Sequence, residues 1–276
     1  VKSVLELVFF SLVVGGFMLS AIGYYISRLG LSTITFSAAH AALAGAAIST
    51  ILNSNPYALP AAFTLCLGLV LGLLTPRVST AIINSVSMML FSLFNSIALI
   101  GIYLSNAVVL STARVGGLLW GSPLAITVDR FMYIVALTTA FLIYLLLYKH
   151  KLDAIVFDKK LAEAEGINVQ LHTSAIIIFM CIALVLMLEI VGGFLVFALV
   201  YIPYITAVAT TTRADLQLLI ASIFGILTAP LGAYLSLLLD LPIGSTIALT
   251  ASLSATAIYA IEKAIEKLRA LVATGD

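Results

Sequence analysis

His40 sits in the run SAAHAALAGAA, an imidazole enclosed by alanines and a glycine. Imidazole is a common ligand for divalent transition metals. An ionisable group inside an apolar span usually faces the bundle interior or a water-filled path. The flanking Ala38, Ala39, Ala41, Ala42, Ala44 and Gly45 are small enough to let neighbouring helices approach closely. Two readings stay open at His40: a pathway residue that can hold a metal, or a neutral histidine bonded to a neighbouring helix carbonyl. A second set, Asn84, Ser85, Met88, Ser92, Asn95 and Ser96, recurs at spacings of three and four and so shares one helix face. It reads as the wall of a translocation pathway or as hydrogen-bonding glue between helices. Met88 adds a soft sulfur, although methionine more often fills gaps. Glu189 and Asp240 close apolar runs, where a carboxylate either draws cations to a pore mouth or simply stays hydrated.

Other chemistries are absent from the sequence. No HExxH, GxSxG or GxxxxGK[ST] pattern occurs, so ATP hydrolysis is not expected of this chain itself. The two cysteines, Cys66 and Cys181, lie in apolar runs without CxxC spacing and read as core thiols rather than as a disulfide or metal pair. A formal net charge of +1 argues against nucleic-acid binding through a basic surface.

The elements that must carry these residues are set by hydropathy. Residues are 63% hydrophobic and 9% charged, with a mean hydropathy of +1.22; soluble domains run near 25% charged. About nine apolar runs are long enough to cross a bilayer, or nearly so. They are Leu5–Ile26, Ser32–Leu52, Tyr57–Leu74, Thr80–Leu104, Thr127–Tyr148, Thr173–Glu189, Phe194–Thr211, Leu216–Leu238 and Ile243–Ile261. None alternates with a period of two, so the spans are helices, which satisfy their backbone hydrogen bonds internally. The expected architecture is all-α: a polytopic membrane bundle of about 8–9 transmembrane helices, forming one integral membrane domain over residues 1–276. The first run lacks a basic leader and a cleavage pattern and is expected to be a true span.

Basic residues divide the connections into two sets. Arg28, Arg77, Lys149, Lys151, Lys159, Lys160, Arg213, Lys263, Lys267 and Arg269 fall on one side, and Lys2, Arg114 and Arg130 on the other. The first side is expected to be cytoplasmic, which puts the C-terminus inside. Two connections are long. Ser105–Ile126 lies outside and reads as a short re-entrant or interfacial element, with Trp120 near the headgroups. Lys149–His172 lies inside and contains DKKLAEAEGINV, where Asp158 is a candidate N-cap and Gly166 a candidate helix stop. A brief helix between them, with Leu161, Ala162 and Ala164, could dock on a partner; the alternative is a solvated loop.

Five segments together resemble permease subunits of the zinc/manganese/iron-type ABC importer family. DKKLAEAEGINV is similar to that family's cytoplasmic coupling segment, with Asp158, Ala162 and Gly166 in place. VGGFLVFALVYIPYITAVA matches at Gly192 and Pro203, and LDLPIGSTIAL at Asp240, Pro242, Gly244 and Ile247. LLWGSPLAIT from Leu118 and SAAHAALAG with His40, Leu43 and Gly45 complete the set. The resemblance implies a homodimeric permease whose pathway runs along the shared axis. It implies two cytoplasmic ATPase subunits that bind ATP and magnesium, and an extracytoplasmic substrate-binding protein. No cofactor is then expected on this chain. Coupling falls to Asp158, Leu161, Ala162 and Gly166, and the pathway to Phe36, Ser37, His40, Asn84, Met88, Ser92 and Asn95. One departure stands out: the family typically carries Asp four residues before the histidine, and Phe36 occupies that position here. Carboxylate plus imidazole suits zinc or manganese, whereas imidazole plus phenyl is a poorer cation site. Either another residue supplies oxygen, or the cargo is a chelate, or this stretch is a hydrophobic gate. A secondary transporter or channel without an ATPase, and a non-transporting scaffold, remain the alternatives.

Overall fold

A computed structural model describes residues 2–109, 119–122, 126–193 and 196–274. Ten helices occur among the described residues: α1 (Lys2–Arg28), α2 (Ser32–Ile51), α3 (Ala58–Leu74), α4 (Thr80–Val109), α5 (Val128–Phe157), α6 (Lys159–Ala164), α7 (Val169–Val191), α8 (Ala198–Thr210), α9 (Ala214–Leu239) and α10 (Ile243–Thr274). Seven are long and apolar enough to cross a bilayer, and α3 and α8 are shorter apolar helices. The chain is therefore an all-helical, polytopic membrane bundle.

The largest departure from the hydropathy reading is at Phe194–Thr211, taken as a full span. Helix α8 begins only at Ala198 and has 13 residues, a rise of about 20 Å against a hydrocarbon core of about 30 Å. Gly192, at φ +96°, ends α7 and breaks the helical path before α8 starts. Much of the proposed re-entrant element at 105–126 lies outside the described residues; within it, Trp120 is about half exposed.

Helix α2 occupies the centre. It is buried along most of its length, because its alanines and glycine admit neighbours on every side. A methyl group added at Gly45 would lie 2.6 Å from the Leu59 carbonyl oxygen of α3's first turn. The α1–α9 crossing uses the same device, with Gly16 against the backbone of Gly225. Helix α4 is bound to α2 by polar contacts: Thr33 Oγ1 donates to Asn84 Oδ1 (2.6 Å), Asn84 Nδ2 to the Gly30 carbonyl (3.1 Å), and Ser37 Oγ to the Ser87 carbonyl (2.7 Å). Cys181 is buried as expected, but Cys66 is exposed on the outer face of α3, so it is not a core thiol.

The helix ends sort into two faces, as the basic residues require. On one face Lys159 Nζ reaches the Leu29 carbonyl (3.3 Å), Tyr24 Oη the Ala214 carbonyl (3.1 Å), and Lys149 bridges Asp153 (2.7 Å) and Asp215 (2.6 Å). On the other, Arg130 pairs with Glu189 and stacks 4.5 Å over the Tyr57 ring. Helix α10 runs unbroken from Ile243 to Thr274, and near its end Lys263 pairs with Glu266 (2.7 Å).

Candidate functional site

His40 is 3% exposed. Its Nδ1 lies 2.9 Å from the Phe36 carbonyl oxygen, one turn earlier on the same helix. A carbonyl only accepts, so the ring proton sits on Nδ1 and Nε2 is the basic nitrogen of the neutral ring. The surroundings are aromatic. Phe91 of α4 meets the imidazole edge-to-face with centroids 4.5 Å apart. Phe36 packs at 4.6 Å from Phe197 and 5.7 Å from Tyr201, and at 6.3 Å from Phe91. One imidazole is thus set among rings from α2, α4, α8 and the turn leading into α8. Among the described residues no group of three or more His, Cys, Asp or Glu could hold a metal ion. The cluster is therefore an imidazole packed among aromatic rings.

Ser37, next to Phe36, is buried and its hydroxyl is spent on the Ser87 carbonyl. The α4 stripe divides. Asn84 ties α4 to α2, while Ser85, Met88 (43% exposed), Ser92 and Ser96 face outward from the single chain. Ser92 and Ser96 bond back to carbonyls of their own helix, at Met88 (3.2 Å) and Ser92 (2.9 Å). Asn95 is partly buried, with Oδ1 lacking a hydrogen-bond partner. The stripe therefore turns Met88 and Ser92, on either side of Phe91, outward from the single chain, while Asn95 is partly buried. Sequence reasoning missed Phe91, Phe197 and Tyr201. Phe36 was the one local sign that this neighbourhood is aromatic.

Glu189 is neither a bare hydrated acid nor a cation funnel. Arg130 neutralises it, and Tyr57 Oη donates to its Oε2 (3.4 Å). Asp240 caps α9 in the left-handed region, at φ +54°.

On the opposite face lies α6. Asp158 Oδ1 accepts from the backbone N–H of Lys160 (2.8 Å) and Leu161 (3.0 Å), a full N-cap. Gly166 takes φ +79° and its N–H closes on the Glu163 carbonyl (3.0 Å), ending the helix. Ala162 is 1% exposed against the bundle, whereas Leu161 is 50% exposed. Helix α6 thus has one anchored face, held against α5 and α7, and one open face. Lys159 ties its start to Leu29, three residues before α2 begins.

The fold is a polytopic helical bundle with a short capped helix on one face, an architecture shared with ABC transporter permeases. The chain belongs to the ABC 3 transport family, whose sequence profile matches residues 2–262. It is 28% identical over 240 residues to the manganese transport system membrane protein MntC of Listeria monocytogenes, covering 86% of this chain and 83% of that one. It is 27% identical over 224 residues to the chelated iron transport system membrane protein YfeC of Yersinia pestis, covering 81% and 74%. Its fold matches the structure of PsaBC from Streptococcus pneumoniae in complex with Fab at a TM-score of 0.77 and 22% identity, over 93% of this chain and 90% of that one.

Replacing Phe36 by Asp tests what the aromatic cluster does to metal affinity. The carboxylate would stand one turn from His40 among rings that cannot pair with it, so the variant is expected to melt below the wild type without metal. Manganese is expected to restore much of that loss, since a ligand bound only by the folded state stabilises it. Thermal denaturation of both proteins with and without manganese checks this.

Proposed function

We propose that this chain forms half of the translocation pathway of an ATP-driven importer for a divalent transition metal, manganese or iron foremost, or for a metal chelate. Two copies would form the pathway, two ATPase subunits carrying ATP and magnesium would dock on the α6 face, and an extracytoplasmic binding protein would deliver cargo on the Arg130–Glu189 face. The α6 face would then be cytoplasmic, with the C-terminus inside the cell. Membership of the ABC 3 family and similarity to the manganese and chelated-iron permeases support the cargo class.

The observation that carries the reading is α6 itself: capped, stopped, held by Ala162 and open at Leu161. Closure of an ATPase dimer would push α6, and α6 would pass the displacement to α5, α7 and, through Lys159 and Leu29, to the root of α2. Helix α2 bears Phe36 and His40, so the rings that seal the pathway would part or close with it. This is a two-state element biased from both ends. The outward face of α4, with Met88 and Ser92, and the partly buried Asn95 beside it would complete the pathway wall against the second copy.

The cargo reading follows from what the cluster offers. A single imidazole nitrogen among rings is a gate that a metal passes, not a site that retains it. The test is purification of the chain from its native membrane: an ATPase subunit and a second copy are expected in the particle. A stable particle with no ATPase, active in flux driven by an ion gradient, would replace this reading with a secondary transporter.

A further inference from the structure

Helices α3 and α4 follow one another in sequence but splay apart, each leaning on α2 instead. Between them runs an apolar groove of about 390 Å³, lined by Ala62, Cys66, Val70, Leu90 and Phe94. At the α6 end of the same helix pair lies a second cavity of about 230 Å³, of different chemistry. Its walls are the α3–α4 connection from Thr75 to Thr80, Lys159 and Lys160 of α6, and Gln170 and Thr173 of α7.

This second cavity has the character of an anion site. Lys159 is partly buried, and no carboxylate pairs with it among the described ion pairs. Burial pushes its ammonium below the usual lysine range. Thr173 is 2% exposed, and its Oγ1 is buried without a hydrogen-bond partner. A buried hydroxyl in native structures normally has one. Glu163 also lines the cavity, so its lining carries two basic residues and one acidic residue, a net positive charge. Helix α4 starts at Thr80 in the same wall, adding the positive end of its dipole.

The two cavities follow one another along α3, the groove ending at Val70 and the charged cavity starting at Thr75. Along α3, Val70 lies about 7 Å from Thr75 and Cys66 about 14 Å. Half of a hydrocarbon core is about 15 Å, so the groove falls within the leaflet whose boundary carries the charged cavity. A charged cavity next to an apolar groove on the same helix pair has the amphiphilic form of a phospholipid. We propose that the two cavities together hold one anionic phospholipid, with its headgroup phosphate at Lys159, Lys160 and Thr173 and an acyl chain between α3 and α4. Because Lys159 and Lys160 belong to α6, the lipid sets where that helix rests. This consequence for coupling relies on the importer reading; the binding itself does not.

Native mass spectrometry of the purified protein tests the binding, with phosphatidylglycerol and phosphatidylcholine supplied in turn. Wild-type protein is expected to retain phosphatidylglycerol preferentially, and Lys159→Ala to lower that retention by about fivefold, the effect of one basic residue at an anionic membrane surface. Val70→Trp, which fills the groove from an exposed position, is expected to lower lipid retention while leaving binding of inorganic phosphate unchanged. Equal retention of the two lipids, or by wild type and both variants, would overturn the proposal. So would retention of inorganic phosphate without lipid. Loss of a bound ATPase subunit from Lys159→Ala with phosphatidylglycerol retained would assign the cavity to a protein carboxylate instead. No arm of the experiment uses nucleotide or cargo, so its failure leaves the importer reading standing, and failure of that reading leaves the lipid result standing.

Discussion

Ala162→Trp is expected to leave the assembled complex hydrolysing ATP while cargo flux falls by about tenfold or more, equivalent to ~1.4 kcal/mol or more in coupling. Ala162 is the enclosed residue of α6, and an indole there cannot be housed without lifting the helix from α5 and α7. The docking face, with Leu161, stays available to the ATPase. The bundle should fold, because α6 has six residues and lies outside the spans. Gly166→Pro should act in the same direction for a different reason. Proline cannot take φ +79° and has no N–H to close on the Glu163 carbonyl. No atom stands within 4 Å of where a Cβ at Gly166 would be, so the effect is one of backbone geometry and not of crowding. ATPase rate and flux measured on the same proteoliposomes check both variants. Normal coupling in both would remove α6 from the mechanism.

His40→Ala is expected to reduce flux by about tenfold to a hundredfold, with a much smaller effect on thermal stability. The imidazole Nδ1 bonds to the Phe36 carbonyl within its own helix. The bonds that hold α4 on α2 belong to Thr33, Asn84, Ser37 and Ser87 and survive the substitution. The substitution removes an imidazole nitrogen beside the rings and the ring contacts with Phe91 and Phe197. Phe36→Ala should differ in kind: it opens the seal while keeping the ligand, so flux should lose part of its dependence on ATP. Parallel measurement of melting temperature and flux separates the cases. Equal proportional losses of both in His40→Ala would make the histidine a packing residue.

Much of the fold was legible because its signals are local. Hydropathy and span length found the long helices, and Asp158, Ala162 and Gly166 announced α6 by cap, packing residue and stop. The basic residues sorted the connections into the two faces that the structure assembles. Other features depend on what lies opposite in space. Helical periodicity found a polar face on α4 but could not say what it faces: Asn84 turns to α2, while Ser85, Met88 and Ser92 turn outward. The run from Phe194 is apolar to Thr211, so hydropathy extended a helix that the backbone at Gly192 delays to Ala198. Phe91, Phe197 and Tyr201 are ordinary aromatics in their own segments. They gather around Phe36 and His40 only when α4 and α8 are brought to α2.

The most direct test of the account is uptake of radioactive manganese into proteoliposomes holding the permease with its ATPase and loaded binding protein. Accumulation that requires ATP, stops with a non-hydrolysable analogue and is lost in Ala162→Trp is the predicted result. Accumulation that proceeds without the ATPase would contradict it.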